Sequence, residues 1–307
     1  MRILGLALVG ILVVVVAAMA WQHLRYVNIR RAVLQDHQPL LYPQEAFHAL
    51  TFLRIKPGED LLAAVRAFRD ETQSLGPAQW VYAGKSILTG NASSQIGEVD
   101  WNAVVLAQYP SREAYDEAAA SERYRGALAA FPQTYTQGFK RPATLNLLIH
   151  QFLLAKRARQ LMTFAPALFP LQRDESLAAT PEGKAGLQRL LSEKEFGAEG
   201  IVIVNLQKHG NAEQRASDSA YGNRMMDGMA EGGYGPMHLG PAVRVEADDH
   251  LDFDFDTVAL VYYPGVEFLA DLMRSTFVQG IIGDKQLGAN LAVPTVPILR
   301  QVRQRVN

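Results

Sequence analysis

The 307-residue chain has no cysteine, which removes disulfides, thiolate nucleophiles and cysteine-ligated metals together. It has no excess of one charge either: 30 Lys and Arg stand against 31 Asp and Glu, for a formal net charge of −1. Without a basic surplus nothing is available to neutralise a phosphate backbone, so nucleic acid is not an expected partner. The seven histidines include no metal-spaced pair such as H-x-x-x-H, and no metal site or cofactor is expected. A nucleophile elbow is missing. The glycine-rich Gly232-Gly233-Tyr234-Gly235 follows a helical pattern and precedes a strand pattern, the reverse of what a phosphate cradle needs. What remains is a globular balance, 49% apolar and 20% charged, with length for two domains of ordinary size. A cysteine-free chain suits either side of a bacterial inner membrane.

The N-terminus carries an unbroken run of apolar residues and glycines from Ile3 to Ala20. As a helix it rises about 27 Å, close to the hydrocarbon thickness of a bilayer. Trp21 and Tyr26 fit the aromatic belt at the membrane surface. Residues 1–22 therefore read as a single-pass anchor whose partner is the lipid bilayer, through residues 3–20. A cleaved signal peptide is the alternative, since Ala18-Met19-Ala20 has a small-x-small cleavage pattern. Arg25, Arg30 and Arg31 behind the run lean toward a cytoplasmic body, whereas a short, signal-like N-terminus leans toward export. The expectation adopted is an inner-membrane protein with a periplasmic body. Residues 23–46 are expected to be a juxtamembrane linker.

The body repeats itself. Asp100-Trp101-Asn102-Ala103-Val104-Val105-Leu106-Ala107-Gln108-Tyr109-Pro110 aligns without a gap on Asp254-Phe255-Asp256-Thr257-Val258-Ala259-Leu260-Val261-Tyr262-Tyr263-Pro264. In the same register Ser121 falls on Ser275 and Gly126 on Gly280. With a small shift upstream, Gly84 falls on Gly240. A collinear set of this kind indicates a tandem unit of about a hundred residues. Residues 47–148 form one copy and 200–307 the other, with a helical connector over 149–199. Each copy reads β-α-β-β-α-β. Strands are expected at 48–55, 79–88, 101–109 and 144–149 in the first, and at 201–207, 236–246, 255–263 and 291–299 in the second. Pro294 and Pro297 confine the last strand to an edge or a break.

The third strands are apolar on both sides. Ala103, Val105 and Ala107 share one face; Asn102, Val104, Leu106 and Gln108 share the other. Helices can cover one face, and the simplest cover for the other is the sheet of the second copy packed face to face.

The same residues carry a resemblance. The stretch Val258-Ala259-Leu260-Val261-Tyr262-Tyr263-Pro264, Val204-Asn205-Leu206-Gln207-Lys208, Tyr221-Gly222-Asn223-Arg224-Met225 and, in the first copy, Tyr109-Pro110-Ser111-Arg112-Glu113-Ala114 resemble a domain-of-unknown-function family of the dimeric α+β barrel superfamily. The resemblance spans residues 47–148 and 200–300. It implies an α+β fold in which two ferredoxin-like βαββαβ repeats form an intrachain dimeric barrel around a central pocket, behind one N-terminal transmembrane helix. It implies no particular activity, because relatives include monooxygenases, isomerases and haem-handling proteins.

Strand parity supplies the candidate site. Asn102, Gln108, Asp256 and Tyr262 lie on the face away from the helices, among Val104, Leu106, Val258 and Leu260. An apolar pocket with a few convergent polar groups is the usual form of a small-molecule site. Asp256 beside Tyr262 would be the acid–base pair if the site is catalytic, and His238 could point into the same space. The bland alternative is a filled interface. A haem-handling role would need a histidine inside the barrel. Asp248, Asp249, Asp252, Asp254 and Asp256 read as a solvated hairpin. The helix from His150, with Lys156, Arg157 and Arg159 beside apolar residues, reads either as a packed linker or as a helix on an anionic membrane surface. The function expected is a membrane-anchored binding or accessory protein holding a small apolar ligand or a membrane protein partner. A cofactor-independent monooxygenase- or isomerase-like enzyme is the alternative.

Overall fold

A computed structural model describes residues 2–33, 41, 43–76, 78–87, 91–92, 100–173, 188, 190–192, 200–245 and 254–304. Most of the loop at 90–97, most of the connector at 179–200, and Asp248, Asp249 and Asp252 lie outside the described residues.

Helix α1 runs from Arg2 to Val33, eleven residues past the expected end of the anchor. Its later turns hold no Gly or Pro, and they have a surface to pack on. Tyr26 and Arg30, one turn apart, are both buried. The stretch 23–33 is thus a docked helix rather than a linker.

The first half then follows as β1 (Phe47–Arg54), α2 (Leu61–Gln73), β2 (Gln79–Ser86), the two-residue β3 (Asn91–Ala92), β4 (Ala103–Tyr109), α3 (Arg112–Ala120), α4 (Glu122–Ala129) and β5 (Gln133–Phe139). Helix starts are marked by caps: Asp60 accepts from the Ala63 N–H, and Ser111 from that of Ala114. The closing strand is β5, not 144–149. Gln133–Phe139 alternates Thr134, Thr136 and Gly138 outward with Tyr135, Gln137 and Phe139 inward. Leu145, Ile149 and Leu153 instead recur every four residues and belong to α5 (Leu145–Met162). The second half is β6 (Ile201–Lys208), α6 (Ala212–Gly232), β7 (Gly235–Val243), β8 (Thr257–Tyr263), α7 (Val266–Met273), α8 (Thr276–Gln279), β9 (Ala289–Pro297) and α9 (Leu299–Arg303).

Both halves have one strand order. The first runs β2-β4-β1-β5 and the second β7-β8-β6-β9, every pairing antiparallel. The expected face-to-face packing is realised differently. The half-sheets join at their edges, β5 to β7 through Gly138↔Val243 and Phe139↔Ala242, and β9 to β2 through Thr295↔Ser86 to Pro297↔Gly84. Eight strands close into one barrel, with β3 added outside β9. Closure satisfies the edge backbone groups that two open sheets would leave exposed. Equivalent strands run in the same direction, so the pseudo-two-fold axis follows the barrel axis. The fold is a mixed α+β barrel, with α2, α3, α4 and α9 outside the first half and α6, α7 and α8 outside the second.

The equivalent glycines acquire a reason here. Gly84 and Gly240 sit at the two seams, where a Cβ would strike Thr295 and Tyr82 in one case and the Lys140 carbonyl in the other. β9 is neither an edge nor broken despite its prolines: Pro294 stands opposite Ile203 of β6, and its other side falls between the β3 and β2 pairings, where its carbonyl accepts from the Ile87 N–H.

Candidate functional site

The sheet face away from the helices is the barrel interior. Leu50, Phe52, Val104, Leu106, Val204, Leu206, Val258, Leu260, Leu291 and Val293 meet there with no accessible surface. Val104, Leu106, Val258 and Leu260 therefore do face inward as parity required, but into a packed core.

The polar candidates separate to the two ends. Asn102 lies at the end where β1 finishes, and its Oδ1 accepts from the Ile55 N–H at 2.7 Å. Asp256 is at the same end. Its carboxylate accepts from the His209 N–H at 2.7 Å, lies 3.9 Å from the Lys208 Nζ, and is 39% exposed. The repeat-equivalent Trp101 and Phe255 are buried there with Phe52 and Tyr135, their rings 5.8 to 6.4 Å apart along the cluster. Gln108 and Tyr262 lie at the opposite end. Six residues of strand, about 20 Å, separate Asp256 from Tyr262, so the structure does not bring the proposed acid–base pair together.

The end that holds Gln108 and Tyr262 is the chemically distinctive one. Register pairs His48 with both Gln108 and Phe139, and Tyr262 with Val202 and Gly235. Above them α1 and α5 close the barrel. The Arg141 guanidinium donates to His238 Nδ1 at 2.9 Å and to the Met237 carbonyl at 2.9 Å. Asn146 Oδ1 accepts from both Arg141 and Arg30, and Arg30 reaches the Tyr26 hydroxyl at 3.4 Å. His23 Nδ1 stands 3.0 Å from His150 Nε2. Arg30, Arg141, Asn146, His48, His150 and His238 are all buried.

Burial makes the imidazoles neutral. Burial above all, then the Arg141 charge, holds His48 down to about 3, against the opposing hydrogen bond with Gln108. His150 is lowered to about 4 by burial and then His23. His238 is well below the usual range for the same first reason, with Arg141, Arg30 and His48 adding to it. Because Arg141 donates to Nδ1, the His238 proton sits on Nε2. The one lone pair of His238 is thus taken by Arg141 and its other nitrogen carries a proton, next to two cations that oppose an arriving metal ion. That setting does not fit a haem ligand.

Beside this layer a recess opens between α1 and the barrel. It is a crevice open to solvent, with an enclosed volume of about 20 Å³, room for about one water molecule, and it is lined by Tyr26 and Ile29 of α1, Leu153 of α5, Met237, Tyr234 and Tyr262, with Arg25 and Gln22 at its edge. Gly235, opposite Tyr262 in the ladder, contributes no side chain and leaves that space. Of the predicted site residues, Tyr262 alone lines this recess. The histidine–arginine layer escaped sequence reasoning because its members come from α1, β1, the β5–α5 turn, α5 and β7; the available signal was the spacing of His23, Tyr26 and Arg30 along one face just after the apolar run.

No protein-family model and no curated protein matches the chain. Among solved structures it is similar to a mutant chlorite dismutase from Candidatus Nitrospira defluvii, at 12% identity and a TM-score of 0.43, covering 88% of this chain and 100% of that one. It is also similar to an anthrone oxidase-like protein, at 8% identity and a TM-score of 0.41, covering 83% of this chain and 91% of that one. The barrel assignment stands on the strand pairing, whatever these scores.

Proposed function

We propose that the chain is a single-pass, membrane-tethered binding or accessory protein of a bacterial inner membrane, with its body on the periplasmic side, and that it holds a small apolar ligand in the recess between tether and barrel. One observation carries this reading: a crevice lined mainly by apolar and aromatic side chains lies between α1 on one side and the barrel end with Tyr262 on the other, and with an enclosed volume of about 20 Å³ it would admit a ligand by parting α1 from the barrel. Apolar walls with a few polar groups at the edge suit orientation and retention of a ligand. The tether reading is supported by α1, one helix long and apolar enough to cross a bilayer, with its unbroken apolar run at residues 3–20 ahead of the docked turns. An oxygenase- or isomerase-like reaction would need a base at Tyr262, and Asp256 lies at the far end of its strand.

The test is native mass spectrometry of the full chain extracted in mild detergent. A small molecule should accompany the parent and be lost from Tyr262→Trp, which fills the recess, while the variant keeps its circular dichroism and melting transition. A bare parent mass, or a folded Tyr262→Trp that retains the adduct, would refute the recess as the site.

A further inference from the structure

Helix α5 is packed on one face and bare on the other. Leu145, Ile149, His150 and Leu153 are buried against α1 and the barrel, while Leu148 is 53%, Phe152 46%, Leu161 61% and Met162 73% exposed. Just beyond the helix Phe164 is 92% exposed. Isolated apolar residues on a surface need no explanation, but five large ones on a single helix and its cap do.

Phe164 is also in the wrong conformation for its side chain, with φ of 51°. Phe164 N–H donates to the Leu161 carbonyl and Ala165 N–H to the Gln160 carbonyl, the two bonds of a helix stop whose left-handed position normally belongs to glycine. Phenylalanine there costs roughly 1 kcal/mol over glycine and aims an aromatic ring into solvent. A strained, exposed aromatic is a reason to look for something that covers it.

The position of this surface identifies the cover. Gln151 Nε2 donates to the Met19 carbonyl at 3.4 Å, setting α5 beside the last apolar turns of α1. Farther along, Arg157 pairs with Glu231 at 3.0 Å, and Glu231 accepts from the N–H groups of Leu168 and Phe169. Two residues on, Gly233 at the end of α6 is packed against the Arg25 guanidinium of α1. The middle of the bare strip, from Gln151 to Arg157, is therefore tied to α1 between residues 19 and 25. That is also where Trp21 stands 60% exposed with Arg25 over its ring at 5.7 Å, an aromatic–cation pair suited to the headgroup layer. Lys156 is neutralised by Asp227 at 2.8 Å and Arg157 by Glu231, while Arg159 stands exposed among the apolar residues, a cation placed as the polar part of a helix lying at a lipid surface would be.

We propose that the body does not hang free on its tether but lies against the same bilayer, with Leu148, Phe152, Leu161, Met162 and Phe164 inserted at the boundary of headgroups and acyl chains. The proposal rests on the tether reading of α1, and the experiment separates the two. Since the chain has no cysteine, single cysteines can be placed at will and labelled with an environment-sensitive fluorophore. Val13→Cys reports on the tether, Phe152→Cys and Phe164→Cys on the strip, and Glu59→Cys on the far end of the barrel. The labelled full-length chains are reconstituted into vesicles of phosphatidylcholine and phosphatidylglycerol containing nitroxide lipids. Labels at 13, 152 and 164 should be quenched several-fold more than the label at 59. Quenching at 13 with 152 and 164 no more quenched than 59 would overturn the inference and leave the tether standing. No quenching at 13 would overturn both.

Discussion

The buried imidazoles make mild acid the most informative perturbation. His48 is held from 6.5 down to about 3 in the folded protein by burial and then by Arg141. The folded state therefore refuses a proton that the unfolded chain takes up as the pH drops below about 6.5. Stability is full above that value, declines as pH falls through it, and keeps declining toward the folded value near 3. At about pH 5 the unfolded imidazole is about 1.5 pH units below its pKa, so His48 alone removes about 2 kcal/mol. His150, lowered to about 4, and His238, lowered well below its usual value, act in the same direction. Ordinary carboxylates titrate mostly below this window, so the slope between about pH 6.5 and pH 5 reports the imidazoles. Equilibrium urea unfolding of the full chain in a non-ionic detergent, at about pH 7.5, 6 and 5, measures it. The His48→Gln variant should show about 2 kcal/mol less pH-dependent loss at about pH 5 than the parent, whatever its stability at about pH 7.5. A flat parental profile, or a variant with the parental slope, would refute the neutral buried layer.

Three further outcomes follow from the barrel. Gly240→Ala and Gly84→Ala should each destabilise by about 1–3 kcal/mol by overpacking a seam, since their new methyls meet the Lys140 carbonyl and the Thr295–Tyr82 pair; unchanged melting of either would show that its seam is not closed as described. Trp101→Ala should cost about 3–5 kcal/mol in denaturant unfolding, because the indole is fully buried against Phe52 at the end of the barrel. Tyr82→Phe should cost only about 1 kcal/mol: it removes the 2.6 Å bond to Thr295 Oγ1, while that hydroxyl keeps its 2.7 Å bond to the Val202 carbonyl. A loss several times larger in thermal or urea unfolding would mean that the hydroxyl supports more than one contact.

What could be read in advance was whatever a strand or helix writes locally. The alignment of 100–110 on 254–264 located both third strands, and alternation along them put Val104, Leu106, Val258 and Leu260 on the inner face where they are found. The same alternation could not distinguish a pocket from a filled barrel, because an inward Leu looks alike in both. It also said nothing of position along the axis. Asp256 and Tyr262 share a face, yet the strand between them is longer than any proton transfer. The apolar run within Thr144–Ile149 suits a short strand and a buried helix alike, whereas Gln133–Phe139, with its threonines and small Gly138, has the true period of two. Seam closure depends on which edge meets which, a property of the assembled halves that no single segment records.

The polar layer makes the later turns of α1 part of the body. A purely hydrophobic tether needs only length, and α1 has that before Trp21. The later turns add Tyr26 and Arg30, buried against α5, and Arg30 shares the Asn146 carbonyl oxygen with Arg141. Taking guanidinium groups out of water is expensive, and such groups are a poor source of stability. They are demanding about geometry, however: moving α1 by one residue would take Arg30 away from Asn146 and His23 away from His150. Arg141 in turn holds the Met237 carbonyl and His238 on β7. A single set of hydrogen bonds thus indexes α1 to α5 and α5 to the barrel. On the proposed membrane reading of α1, that indexing would set which face of the body meets lipid, and the labels at 152 and 164 test whether it is the face where Phe152 and Phe164 are exposed.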